Sequence, residues 1–201
     1  MTWQKMIEEG LLLVQAEPKH DLKRGFRCRL LSAFDEINGT KLPRSGQIKR
    51  VKLATLSVEK VLPLWDSYFP ADRSPYLALE LAQKLLAGAI SATEAERELG
   101  RLWTHCDDLM GKREDDQNSV MVGYGAIQVL REALSETHFG CEEINNGSTD
   151  LDITPYDFDS SCFAAIAYSR GAPWESSSDY QKRLEFWTWW LTSAVSDATN
   201  H

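Results

Sequence analysis

The spacing of apolar residues most restricts what this 201-residue chain can fold into, because they recur at intervals of three and four along almost its whole length. Trp3, Ile7, Leu11 and Val14 form one stripe, and Leu22, Phe26, Leu30, Phe34 and Ile37 form a second. An α-helix turns once every 3.6 residues, so each set falls on one face that must be buried. Val51, Ala54, Val58, Val61, Leu62 and Trp65 begin a third stripe, in which Pro63 is expected to kink or end the helix because it removes a backbone donor. Period-two alternation rich in β-branched residues, the mark of strands, is missing. The expected fold is all-α, a single-domain bundle of seven or eight helices, and the length suits one sizeable core.

Helix ends are written in the polar residues. Ser74-Pro75 reads as a cap followed by proline at the first helical position, and Thr154-Pro155 repeats the pattern before Phe163, Ile166 and Ala167. Ser91 with Glu94, and Ser178 with Gln181, are spaced as capping boxes. Between them Ala95, Leu99, Leu102, Cys106 and Leu109 mark one buried face, and Tyr124, Ile127, Leu130 and Leu134 another. Gly171 is the expected stop of the helix after Pro155. The stretch from Asn38 to Gly46 is expected to be a loop. A final helix carries Leu184, Trp187, Leu191 and Ala194 inside, and its extra aromatics, Phe186, Trp189 and Trp190, call for central burial.

Charge is distributed unevenly. Residues 1–60 hold 12 Lys and Arg against 7 Asp and Glu, a net of +5, whereas residues 61–201 hold 10 against 23, a net of -13. Within the single domain, residues 1–50 thus supply basic N-terminal helices and residues 51–201 an acidic remainder. Lys23, Arg24 and Arg27 are expected to form a solvated basic face. Between Arg131 and Arg170 there are eight acids, Glu132, Glu136, Glu142, Glu143, Asp150, Asp152, Asp157 and Asp159, and no Lys or Arg. An overall charge of -8 argues against nucleic acid as a partner, since phosphates are repelled, and favours a basic protein surface.

Several chemistries fail on spacing. The four cysteines form no C-x-x-C pair, which points to reduced, buried thiols and a cytoplasmic setting. No apolar run approaches the ~20 residues of a membrane span. The acids at 150, 152, 157 and 159 lack the glycine and glutamate of a calcium-binding hand, and Asp157 and Asp159 are expected at the opening of a helix, where the dipole stabilises them. His105 and Cys106 point about 100° apart on a helix, so no nucleophilic pair forms there. Gly123-Tyr124-Gly125 lacks the third glycine of a dinucleotide loop and reads as a site of close helix packing. No catalytic residue, metal or cofactor is expected.

Several segments together resemble a known family. Leu62-Pro63-Leu64-Trp65, Phe69-Pro70-Ala71-Asp72-Arg73-Ser74-Pro75, Gly123-Tyr124-Gly125-Ala126, the run from Ala164 to Gly171, Trp174, and the run from Lys182 to Leu191 are similar to the fifth family of immunity proteins of bacterial polymorphic toxin systems, over roughly residues 50–195. The resemblance implies an all-α cytoplasmic antidote, without catalytic activity, that binds a cognate toxin encoded beside it.

The acids supply a means. A surface built from Glu142, Glu143, Asp150, Asp152, Asp157 and Asp159 would steer towards a basic active-site cleft and cover it, with Trp174, in a loop beside acids, as an aromatic anchor. The competing readings are solvated charge that opposes aggregation, a metal-dependent helical hydrolase using Asp150 and Asp152, and a helical adaptor unrelated to toxins.

Overall fold

Proline and glycine decide how the apolar stripes are cut into helices. The computed structural model describes residues 3–37, 40–41, 43–112, 117–135, 144 and 147–199, with the backbone alone for 36, 37, 40, 41 and 43. In order come α1 (Trp3–Ala16), α2 (Arg24–Ala33), α3 (Pro43–Glu59), α4 (Leu62–Tyr68), α5 (Ser74–Leu86), α6 (Ala92–Lys112), α7 (Gln117–Leu134), α8 (Ser160–Ser169) and α9 (Tyr180–Trp189). A π turn (Trp190–Ala194) carries α9 into α10 (Val195–Thr199), so the chain forms nine helices among the described residues if these last are taken as one. The expected third helix is divided, with Pro63 in the first turn of α4. Within the expected loop at 38–46, Thr40–Lys41 is a two-residue strand paired with Glu36–Ile37 (Glu36 with Lys41, Ile37 with Thr40), and α3 begins at Pro43.

The centre of the bundle is α7, buried on nearly every side between α3, α4, α5, α6 and α8. Small residues make that possible. A Cβ on Gly123 would lie 2.6 Å from Cys106 Sγ and 2.9 Å from a ring carbon of Trp65, and one on Gly125 would lie 3.4 Å from Val58. These glycines let α4 and α6 approach one flank of α7, and α3 and α8 another, which is the close packing read from the sequence. Trp65 is fully buried, and its Nε1 donates to Asp72 O at 2.8 Å. Removing such a ring costs about 3–5 kcal/mol.

The terminal helix sits between α8, α1 and the π turn's contacts with α3. Phe186, Trp187 and Trp190 are completely buried, as expected of central aromatics, and Trp190 Nε1 donates to Ser57 Oγ at 3.0 Å. Trp189 is half-buried beneath Lys60, whose ammonium lies 5.0 Å from its ring centre.

Caps follow the sequence in part. Ser91 Oγ accepts from Glu94 N at 3.2 Å, as its spacing requires. At α5 the acceptor is Asp72, whose Oδ1 takes both Ser74 N and Ser74 Oγ, so Ser74 is donor rather than cap. Thr154-Pro155 opens only a three-residue 3-10 turn, and α8 starts later under Asp159, whose Oδ1 accepts from Cys162 N at 2.9 Å. Asp179, one residue after the expected Ser178, caps α9. The left-handed residue that stops α8 is Arg170 (φ 58°), just before Gly171.

Candidate functional site

Two arginines expected neither at the core nor at the site organise the loops around it. Arg27 is completely buried, which overturns its expected place on a solvated basic face. Its five N–H groups make five hydrogen bonds: two to Asp150 (2.6 and 3.1 Å), two to Asp159 Oδ2 (2.8 and 2.9 Å) and one to Leu22 O (2.5 Å). A buried charge survives only when paired this fully. Burial opposes the guanidinium charge, but Asp150 and Asp159 overcome that opposition and hold its pKa well above the ordinary value. Burial pushes Asp150 up against the pull of Arg27. Burial also opposes the Asp159 charge, but Arg27, Ser161 and Cys162 N outweigh it and hold Asp159 below the ordinary carboxylate range.

The second is Arg183, 1% exposed. It donates to Asp21 Oδ1 (3.1 Å), Ser169 Oγ (2.7 Å), Ser178 Oγ (3.2 Å) and Gly171 O. Trp187 links the two arginines, since its ring lies 5.3 Å from the Arg27 guanidinium and its Nε1 donates to Asp21 at 3.3 Å. Arg27 therefore fastens the segment 150–159 to α2, while Arg183 fastens the loop 169–178 to α9.

Between the two fastened segments and α6 and α7 lies an open groove of about 580 Å³. A chain of six rings lines it. Tyr156 meets Trp103 at 5.2 Å, Trp103 meets Tyr124 at 5.3 Å, Tyr124 meets Phe163 at 5.6 Å, Phe163 meets Phe158 at 5.6 Å, and Phe158 meets Trp174 at 6.1 Å. Tyr124, Phe158 and Phe163 are buried and Trp103 half-buried, but the two ends are open: Tyr156 is 57% and Trp174 40% exposed. Asp107 and Glu175 add two exposed carboxylates, and no Lys or Arg lines the groove among the described residues. Tyr124 donates to Asp107 at 2.6 Å, and burial together with that bond raises its pKa and keeps the phenol neutral.

The described acids of the run are thus divided rather than gathered into one surface. Asp150 and Asp159 are structural: one is buried, the other partly buried, and both face Arg27, so neither presents free charge to a partner. Asp157 does not open α8. It ends the 3-10 turn, half-exposed, and accepts from Arg131 and Thr154. Asp152 is fully exposed and accepts from Thr149 N and Oγ1, which lowers its pKa. Glu132 pairs with the buried Arg50 at 2.6 Å. Glu142 and Glu143 lie outside the described residues. Trp174 packs edge-on against Phe158 and remains 40% exposed.

Elsewhere the geometry offers little chemistry. A second cavity, about 480 Å³ between α2, α3, α7 and residues 153–161, is lined by charges that pair with one another, including Arg50 with Glu132 and Arg131 with Asp157. Among the described residues no three His, Cys, Asp or Glu are grouped to hold a metal ion, and no helix is long and apolar enough to cross a membrane. His105 bonds to Asp72 at 2.5 Å, while Cys106 is buried against Gly123, so the neighbours point apart.

The profile of the family described as Immunity protein Imm5 matches residues 7–197. The chain belongs to this immunity protein family. The Imm5 match reaches from α1 into α10 and so includes the N-terminal helices that the resemblance over residues 50–195 had left out. No curated protein sequence matches the chain. The Imm5-like segments now have physical roles: Ser169, Gly171, Arg183 and Trp187 belong to the network that holds the Trp174 loop, while Trp65 and Gly123 set the packing of α7.

Proposed function

We propose that this protein is an antidote that binds and neutralises a cognate toxin domain without chemistry of its own, and that it docks through the ring-lined groove and its rim. The Imm5 family match carries the reading. The groove supports it because exposed Tyr and Trp anchored on rigid surroundings are the residue types that dominate protein interfaces. Asp152, Asp157 and Trp174 are the partner-facing residues of this reading, with Glu142 and Glu143 beside them in sequence and Tyr156 added. Asp150 and Asp159 act indirectly, by placing the segment that bears Tyr156. The exposed acids would speed approach to a basic toxin surface by long-range attraction.

The test is co-expression with the toxin domain encoded next to this gene. Growth should be rescued, and the purified pair should associate several-fold more slowly at high salt or when Asp152→Lys and Asp157→Lys are combined. No rescue by the intact chain sinks the antidote reading. Rescue with salt-independent association removes only the electrostatic part.

A further inference from the structure

The groove is specialised beyond being apolar, and its chemistry names an occupant. Aromatic faces carry negative quadrupoles, and the two carboxylates at its edge, Asp107 from α6 and Glu175 from the fastened loop, meet no cation in the lining among the described residues. Each carboxylate accepts one hydrogen bond among the described residues, Asp107 Oδ1 from Tyr124 and Glu175 Oε2 from Ala172 N, and an ionised carboxylate can accept about four. Both therefore retain acceptor capacity towards the groove. Resting on the antidote reading, we propose that the groove is a receptor for an arginine side chain of the toxin, stacked on the exposed ring of Tyr156 or of Trp174 and bonded by Asp107 or Glu175. A guanidinium suits this lining better than an ammonium, because its plane stacks on rings while its edge donates to carboxylates in a fork.

The occupant can be tested in two arms. In the first, argininamide is titrated into the ¹⁵N-labelled full chain, with glutamine amide, which has the same α-amino group but a neutral side chain, as the control, reading the indole signals of Trp103 and Trp174. Saturable shifts are expected for argininamide alone, weakened about tenfold when Asp107→Asn and Glu175→Gln are combined. Equal shifts with glutamine amide, shifts confined to other tryptophans, or no effect of the variants would each overturn the proposal. Both substituted residues are exposed and keep an acceptor oxygen, and an unchanged dispersion of the remaining signals reports an intact fold.

In the second arm, affinity for the neighbouring toxin domain is measured for wild type, for the Asp107→Asn/Glu175→Gln pair and for Trp174→Ala. Loss of about tenfold or more in each variant is the expected result. Variants that bind toxin as tightly as wild type would defeat the arginine receptor while leaving the antidote intact. A wild type that binds no toxin would defeat the antidote reading, and with it the toxin arginine, whatever argininamide does.

Discussion

Arg27 and Asp150, 123 residues apart in the chain, meet in a two-pronged contact, with Nη2 2.6 Å from Oδ1 and Nη1 3.1 Å from Oδ2. Removing the cation alone leaves Asp150 and Asp159 facing each other in a region with little water. Arg27→Met should therefore cost about 3–5 kcal/mol in urea unfolding. Asp150→Asn in that background should restore part of the loss. A cost under 1 kcal/mol for Arg27→Met would show that the contact is not needed for the fold.

Arg183 should tolerate lysine poorly. Its planar fork serves four acceptors on two segments, Asp21 and the loop 169–178, and an ammonium at the end of a flexible stem cannot reach them together. Arg183→Lys should cost about 2–3 kcal/mol and leave Gly171, Ser169 and Ser178 under-satisfied. Limited proteolysis is the sharper reading, with cleavage between Ala172 and Ser177 appearing in the variant before the helices are cut. Equal rates of loop cleavage in both proteins would count against the fastening role.

Gly123 is fixed by space rather than by its backbone angles. Gly123→Ala places a methyl 2.6 Å from Cys106 Sγ, which should cost about 1–3 kcal/mol through displacement of α6 or Trp65. Combining it with Cys106→Ala should recover stability, so the two effects should be less than additive. Strict additivity in thermal unfolding would contradict the geometry.

Asp72 links stability to pH. Burial opposes its charge, but bonds from the Ser74 hydroxyl and amide, and then from His105, hold its pKa below the ordinary value. A carboxylate lowered in the folded state stabilises fully above its unfolded pKa, and that share is lost as pH falls through the folded one. Asp72→Ala should thus cost ~1 kcal/mol near neutrality, comparable to losing a helix cap. The gap from wild type should narrow with acid below about pH 4. A gap that stays constant from pH 7 to pH 3 would contradict this assignment.

The buried thiols should be inert. Burial, with Asp72 and Asp107 nearby, pushes Cys106 up to about 12, and burial with Asp150 pushes Cys162 well above the usual thiol range. Alkylation at pH 8 should leave both unmodified in the native chain and modify both in urea. Rapid native labelling of either would show that its burial is overstated.

How far the sequence foretold this molecule depended on whether a signal was local. The stripe Ala95, Leu99, Leu102 and Cys106 appears as one helix face because helical periodicity needs no distant partner. The burial of Phe186, Trp187 and Trp190 was legible for the same reason. Arg27 was not. Its helix neighbours describe an ordinary amphipathic segment, and its partners lie over a hundred residues away, so only the absence of cations beside Asp150 and Asp159 hinted that one must come from elsewhere. The groove was legible only at Trp174; Tyr156 and Trp103 meet by tertiary contact alone, and no spacing in the chain relates them.

The Arg27 contact also carries a consequence for how the protein is made. A chain synthesised at about 5–20 residues per second exposes Arg27 roughly 6–25 s before Asp150 exists, because 123 residues separate them. Throughout that interval α2 has a cation on its inward side and nothing to neutralise it, so it cannot settle into the core. The last third of the chain completes the first. Whatever surface the segment 150–159 presents is therefore set only after Asp150 has been made, long after the helix that anchors it.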